Sequence, residues 1–84
     1  MYSVEPYPEV RDHIAALPSD ARAGYDDAVK VMELVPWNGK PINEDNPDAQ
    51  VRQLVFDPDG DGMVTYLILE DQQRVDVLQV TWVG

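Results

Sequence analysis

The spacing of apolar positions changes along this chain, and the change predicts its architecture. Val10, Ile14 and Leu17 recur at i, i+4 and i+7, one stripe of a helix running from Glu9 to about Leu17. Ala21, Tyr25, Ala28, Met32 and Val35, with Val29 beside them, form the stripe of a second helix from about Asp20 to Val35. Pro8 suits a first helical turn, Pro18 separates the two helices and Pro36 ends the second. Ser19 is the expected N-cap of the second helix, and Asp26 and Lys30 an i, i+4 ion pair on it. The short break between the helices predicts an αα-hairpin. Ahead of it, Tyr2 to Val4 reads as a short strand that Pro6 and Pro8 bring to an end.

After the helices the pattern tightens towards alternation. VRQLVF (51–56), MVTYLILE (63–70) and RVDVLQVTW (74–82) read as three consecutive strands of a meander. The first turn is Asp57-Pro58-Asp59-Gly60-Asp61-Gly62 and the second contains Asp71-Gln72-Gln73. Residues 36–49 carry Asn38-Gly39, Lys40-Pro41 and Asn46-Pro47, which are loop signals, and Trp37 is the expected anchor of that loop over the helix–sheet junction. The expected order is β-α-α-β-β-β, an α+β fold with an αα-hairpin packed on an antiparallel four-stranded sheet. All 84 residues fall to a single domain (1–84), because a chain this short buries only about 60% of its unfolded surface and needs every amphipathic element for one core.

Charge narrows the range of partners. Sixteen carboxylates against six Lys/Arg give a net charge of −10. The cations Arg11, Arg22, Lys30, Lys40, Arg52 and Arg74 are never adjacent in sequence. A field of this sign repels DNA, RNA and anionic membranes and favours a partner with a basic surface. The absence of cysteine excludes disulfides and thiolate metal sites. No apolar run spans a bilayer, and the N-terminus has neither a basic region nor an apolar signal core, so the expected location is cytoplasmic. No Gly-rich phosphate loop, nucleophile elbow or paired carboxylate site is evident, and no cofactor is expected.

Several phrases, VEPYPEVRDHIAALP, LVPWNGKPINEDNPDAQVRQLVF and GMVTYLILEDQQRVDVLQV, together with the element order, resemble the RelE/ParE superfamily of bacterial toxin–antitoxin toxins. The resemblance covers nearly the whole chain. It implies a cognate antitoxin as partner and, in active members, ribosome-dependent cleavage of mRNA or inhibition of DNA gyrase. The ribonucleases hold the scissile phosphate with basic residues on the sheet and move protons with a basic or His/Tyr C-terminal segment. Deprotonating a 2′-hydroxyl while charge builds on phosphorus requires cations and a proton donor to converge. By resemblance, the catalytic candidates here are Arg52, as phosphate clamp, and Tyr66, as proton donor. Met63 and Val64 stand where the ribonucleases commonly carry arginine, and the chain stops at Val83-Gly84 directly after the last strand. The expected function is therefore a toxin-like protein-binding module with a degenerate ribonuclease site; the alternative is an active mRNA endonuclease.

Each candidate also has a purely structural reading. A strand arginine such as Arg52 often snorkels, or pairs with a cross-strand acid such as Glu70. Tyr66 suits core or rim. Trp82, and with it Trp37, suits either a partner surface or packing within the chain. His13 reads as a solvated helix residue. Asp57, Asp59 and Asp61 with Gly62 match the first half of a calcium loop, but Ile68 occupies the position of the bidentate acid, leaving at most a weak site and favouring an acidic hairpin turn. The cluster Glu44, Asp45 and Asp48 reads as solvated surface.

Overall fold

The computed structural model describes every residue except Glu44, Pro47, Pro58 and Gly84, so one member of the loop's acidic cluster and the proline of the first turn lie outside the described residues. The elements in order are β1 (Ser3–Pro6), α1 (Pro8–Ala15), α2 (Ser19–Leu34), β2 (Lys40–Pro41), β3 (Val51–Val55), β4 (Gly62–Leu69) and β5 (Arg74–Trp82), with 3-10 turns at Pro36–Asn38 and Glu70–Gln72. The sheet has five strands, in the order β1-β5-β4-β3-β2.

The α+β arrangement is the one expected, but the sheet is five-stranded and mixed, where an antiparallel four-stranded sheet was expected. β1 runs parallel to β5, from Ser3 opposite Arg74 to Pro6 opposite Val77. A parallel pair needs a long crossover, and here the helices and the rest of the sheet lie between the two strands in sequence. The added strand, β2, is two residues long and pairs Lys40 with Gln53 and Pro41 with Arg52. Proline lacks the N–H of a central strand and is confined to edges, so the composition that marked a loop conceals a short edge strand.

Local boundaries also shift for identifiable reasons. Ser19 is the first helical residue of α2, Pro18 holds the cap position, and no side-chain cap bond forms; the Pro18 carbonyl accepts the Arg22 amide at 2.8 Å. Val35 is exposed, because the backbone leaves helical angles there before Pro36. Asp26 pairs with Arg22 at 3.3 Å, and Lys30 pairs with Asp27 at 3.9 Å rather than with Asp26. These surface pairs contribute a few tenths of a kcal/mol each.

The core lies between the helices and one face of the sheet. α1 contributes Val10 and Ile14; α2 contributes Ala21, Tyr25, Ala28 and Met32. Opposite them stand Val64, Tyr66 and Ile68 of β4 and Val75, Val77 and Val80 of β5. The spacing 75, 77, 80 departs from strict alternation because a register shift between Thr65 and Tyr66 puts Gln79 opposite Thr65 but Val77 opposite Tyr66, inserting one residue into β5. β1 covers β5 only as far as Val77, where the Tyr7 amide closes the ladder at 3.1 Å. From Leu78 to Trp82 no strand pairs with the outer edge of β5 among the described residues.

α2 approaches the chain closely at Phe56, just after β3. A side chain at Gly24 would overlap the carbonyl oxygen of Phe56, so the contact admits only glycine. Phe56 in turn meets Tyr25 edge-on at 6.0 Å between ring centroids and stacks with Trp82 at 6.3 Å. Gly24→Ala therefore sets about 1 kcal/mol of gained helix propensity against overpacking of about 1–3 kcal/mol. The expected result is net destabilisation, read as a lower urea midpoint; an unchanged or higher midpoint contradicts the contact.

Candidate functional site

The two sequence-predicted catalytic residues are brought together. Arg52 of β3 lies opposite Tyr66 of β4, so both project to the helix-covered face of the sheet. The loop leaving α2 folds over them. Arg52 is 8% exposed, and its Nε donates to the Ala49 carbonyl at 3.0 Å. Its Nη1 donates to the carbonyls of Gly39 at 3.0 Å and Trp37 at 3.2 Å. Its guanidinium carbon sits 5.0 Å from the Trp37 ring centroid, within cation–π range. The cross-strand pairing with Glu70 is replaced by these carbonyls, since a buried guanidinium needs several acceptors in its own plane.

Tyr66 is fully buried, and its hydroxyl donates to the Pro36 carbonyl at 2.6 Å. Burial pushes the hydroxyl up to about 12, while the Gly39 backbone and the Arg52 charge pull the other way. A side chain at Gly39 would overlap the Tyr66 hydroxyl, which lets the loop backbone lie directly on the ring. Among the described residues, two side chains of the sheet thus hold the loop carbonyls of Pro36, Trp37, Gly39 and Ala49.

Trp37 is 37% exposed and holds the loop from outside: its Nε1 donates to Glu70 at 2.9 Å. Glu70 also accepts from the Tyr2 hydroxyl and from Gln73 Nε2 at 2.7 Å. The Tyr2 bond first, and then those from Trp37 and Gln73, lower the Glu70 carboxyl below its ordinary range. This carboxylate joins the N-terminus, the loop and the β4–β5 turn, and its role has no sequence signal because its partners lie 68 and 33 residues away. Trp82 is half-buried against Phe56. His13 is exposed, as expected.

The opposite face of the sheet carries no helix among the described residues. The cation on its β5 strand, Arg74, is bound to Asp76 at 2.9 and 3.3 Å and lies 3.5 Å from Glu5. The Asp76 hydrogen bond raises the Arg74 guanidinium above its ordinary value. Lys40 of β2 and Gln53 of β3, paired in register, share this face with Thr65 and Met63.

At the β3–β4 turn, carboxylate oxygens of Asp57, Asp59 and Asp61 lie within 4.8 Å of one another. Asp57 Oδ1 already accepts the Gly62 amide at 2.6 Å, and Gly60 has a left-handed φ of 78°. Three carboxylates fall well short of the about six to eight oxygens that calcium takes, so the donor set fits a hairpin turn better than a resident cation.

Comparison with protein-family models gives no match, and no curated protein matches either. Solved structures do. The isolated E. coli RelE toxin superposes with a TM-score of 0.82 at 12% identity, over 100% of this chain and 86% of that one. RelE in the intact E. coli RelBE toxin–antitoxin complex gives 0.79 at 13% identity, over 100% and 99% of the two chains. The archaeal RelE–RelB complex from Pyrococcus horikoshii gives 0.67 at 18% identity, over 99% and 96%. The chain has a RelE-like fold. No helix among the described residues is long and apolar enough to cross a membrane.

Two measurements test the site. Tyr66→Phe removes the short bond to the Pro36 carbonyl, which keeps only the longer Gly39 amide bond at 3.4 Å, and is expected to cost about 1–3 kcal/mol in urea unfolding. The folded pKa of about 12 lies above the ordinary 10.0, so the proton-linked stability from Tyr66 is complete below pH 10 and lost as pH rises through 12. The gap between wild type and Tyr66→Phe therefore narrows over that range; a constant gap contradicts the buried hydroxyl. Calorimetric titration with calcium is expected to give no saturable heat at about 1 mM metal, whereas a saturable isotherm lost in Asp59→Asn establishes a cation site.

Proposed function

We propose that this chain is a protein-binding module on a toxin fold, with its ribonuclease site degenerate, and that its partner is an antitoxin-like protein presenting a basic, apolar-faced segment. The observation that carries this reading is the use of Arg52 and Tyr66. A phosphate clamp needs its N–H donors free, and a general acid needs its hydroxyl within reach of a leaving oxygen. Here the Arg52 Nε and Nη1 donors bond loop carbonyls, and the Tyr66 hydroxyl faces Pro36 with its pKa raised away from neutrality. On the open face Arg74 is already neutralised by Asp76 and Glu5.

A binding surface of the matching chemistry lies between α2 and β3. Ala23, Val31, Leu54 and Val55 line a groove of about 460 Å³, and Asp20, Asp27 and Asp57 border it. Leu34 and Val35, at the end of α2, are exposed large apolar side chains. An amphipathic segment with lysine or arginine along its edges satisfies both the apolar floor and the acidic rim. Structural neighbours have been solved as RelE–RelB complexes, which supports the choice of an antitoxin as partner.

The chain is to be expressed alone and with the product of the adjacent gene, with growth and ribosome-bound mRNA followed. The expected outcome is no growth arrest, intact mRNA, and a complex whose Kd rises about tenfold in the double variant Asp20→Asn, Asp27→Asn and again between low and physiological salt. Cleavage of ribosome-bound mRNA by the purified protein overturns the reading, whichever residue carries it.

A further inference from the structure

Folding gathers two of the six scattered cations. Arg11 projects from α1 and Arg22 from α2 into one groove between the helices and β1, of about 410 Å³. Val4, Pro6, Ile14 and Val29 form its apolar walls, and the only carboxylate lining it among the described residues is Asp26, which is engaged by Arg22 Nε at 3.3 Å. Arg11 makes no ion pair or side-chain hydrogen bond among the described residues, whereas Arg74 is doubly paired.

A second observation points to the same place. Tyr25 is 4% exposed and lines this groove, yet its hydroxyl has no hydrogen-bond partner among the described residues. Every fully buried side-chain polar atom among those residues does have a partner, so the Tyr25 oxygen is the part of the residue still open to the groove. Its pKa is raised, by burial first, with Arg22 lowering it and Asp26 raising it; the hydroxyl therefore stays protonated and available as a donor at neutral pH. Open to the groove, the hydroxyl can donate to an acceptor that arrives there in place of water.

We infer that this groove is a binding site for a small amphiphilic monocarboxylate, whose aliphatic chain lies along Val4, Pro6, Ile14 and Val29 and whose carboxylate accepts from Tyr25 Oη and the Arg11 guanidinium. The donors choose the head group, because a carboxylate matches a guanidinium fork and a hydroxyl together. The walls choose the tail. The volume falls in the range of small-ligand sites. Arg11 and Arg22 set the local sign of the field here, with Asp26 already paired to Arg22, and salt screens the more distant carboxylates. The site is separate from the acid-rimmed groove beyond the other side of α2, and neither depends on the other.

The probe is sodium octanoate, titrated below its micelle concentration to about 5 mM into isotopically labelled protein and followed by NMR. Saturable shifts are expected at the Val4, Ile14 and Val29 methyls and at Tyr25. Arg11→Gln and Tyr25→Phe are each expected to weaken binding about tenfold, octanol to bind about tenfold more weakly than octanoate, and acetate not to saturate. Tyr25→Phe keeps the ring against Phe56, and thermal unfolding verifies that it folds; Arg11→Gln lies on the surface and carries the test alone if it does not. Shifts that fail to saturate or that lie outside the groove, octanol binding as tightly as octanoate, or folded variants binding like wild type each overturn the proposal.

Discussion

The structure turns on one buried cation. A guanidinium removed from water is costly unless its donors are matched, with a penalty of several kcal/mol per ion. Arg52 is matched by backbone: Trp37 and Gly39 from the start of the long loop and Ala49 from its end. A loop rich in proline and polar residues has little core of its own, so these bonds, with the Tyr66 bond to Pro36, set where it lies. Glu70 applies the same logic from outside, gathering Tyr2, Trp37 and Gln73 on one carboxylate. Secondary structure supplies the layers; two charged side chains fasten the loop to them.

That arrangement separates fold from chemistry. A RelE-like scaffold says nothing by itself about chemistry, and here the polar groups beneath the loop are engaged in holding the chain together. Arg52 and Tyr66 form the most obviously polar pair on the helix-covered face, and both are committed to loop carbonyls. The two proposed binding surfaces lie on the two sides of α2: an apolar groove with an acidic rim, and an apolar groove with two arginines and an open hydroxyl. One helix thus presents surfaces of opposite preference.

Much of this was legible in the sequence where the determinant is local. The stripes Val10–Ile14 and Ala21–Tyr25–Ala28–Met32 point inward as periodicity predicts, β5 spans Arg74–Trp82 as read, and the aspartate-glycine segment is a hairpin turn. What escaped is non-local or hidden by composition. Nothing in Ser3–Pro6 reveals that its neighbour is β5, or that the pairing is parallel. Lys40–Pro41 looks like pure loop until Arg52 and Gln53 lie beside it. The extra residue in β5 resembles faulty alternation until the register around Thr65 and Tyr66 is known. Arg52 was identifiable as unusual, but carbonyl acceptors carry no side-chain signature. The meeting of Arg11 with Arg22 likewise depends on how α1 packs beside α2.

The half-covered last strand has a consequence for colloidal behaviour. Beyond Val77 no strand among the described residues pairs with the outer edge of β5, and an open edge is the feature through which sheets of separate molecules join. Gln79 and Thr81, the exposed residues there, carry no charge to guard it locally. Protection therefore comes from the whole molecule: at neutral pH a net charge of −10 keeps copies apart, and near the isoelectric point of about 4.1 that repulsion vanishes. Acidity therefore removes the guard of this edge without touching the strand itself.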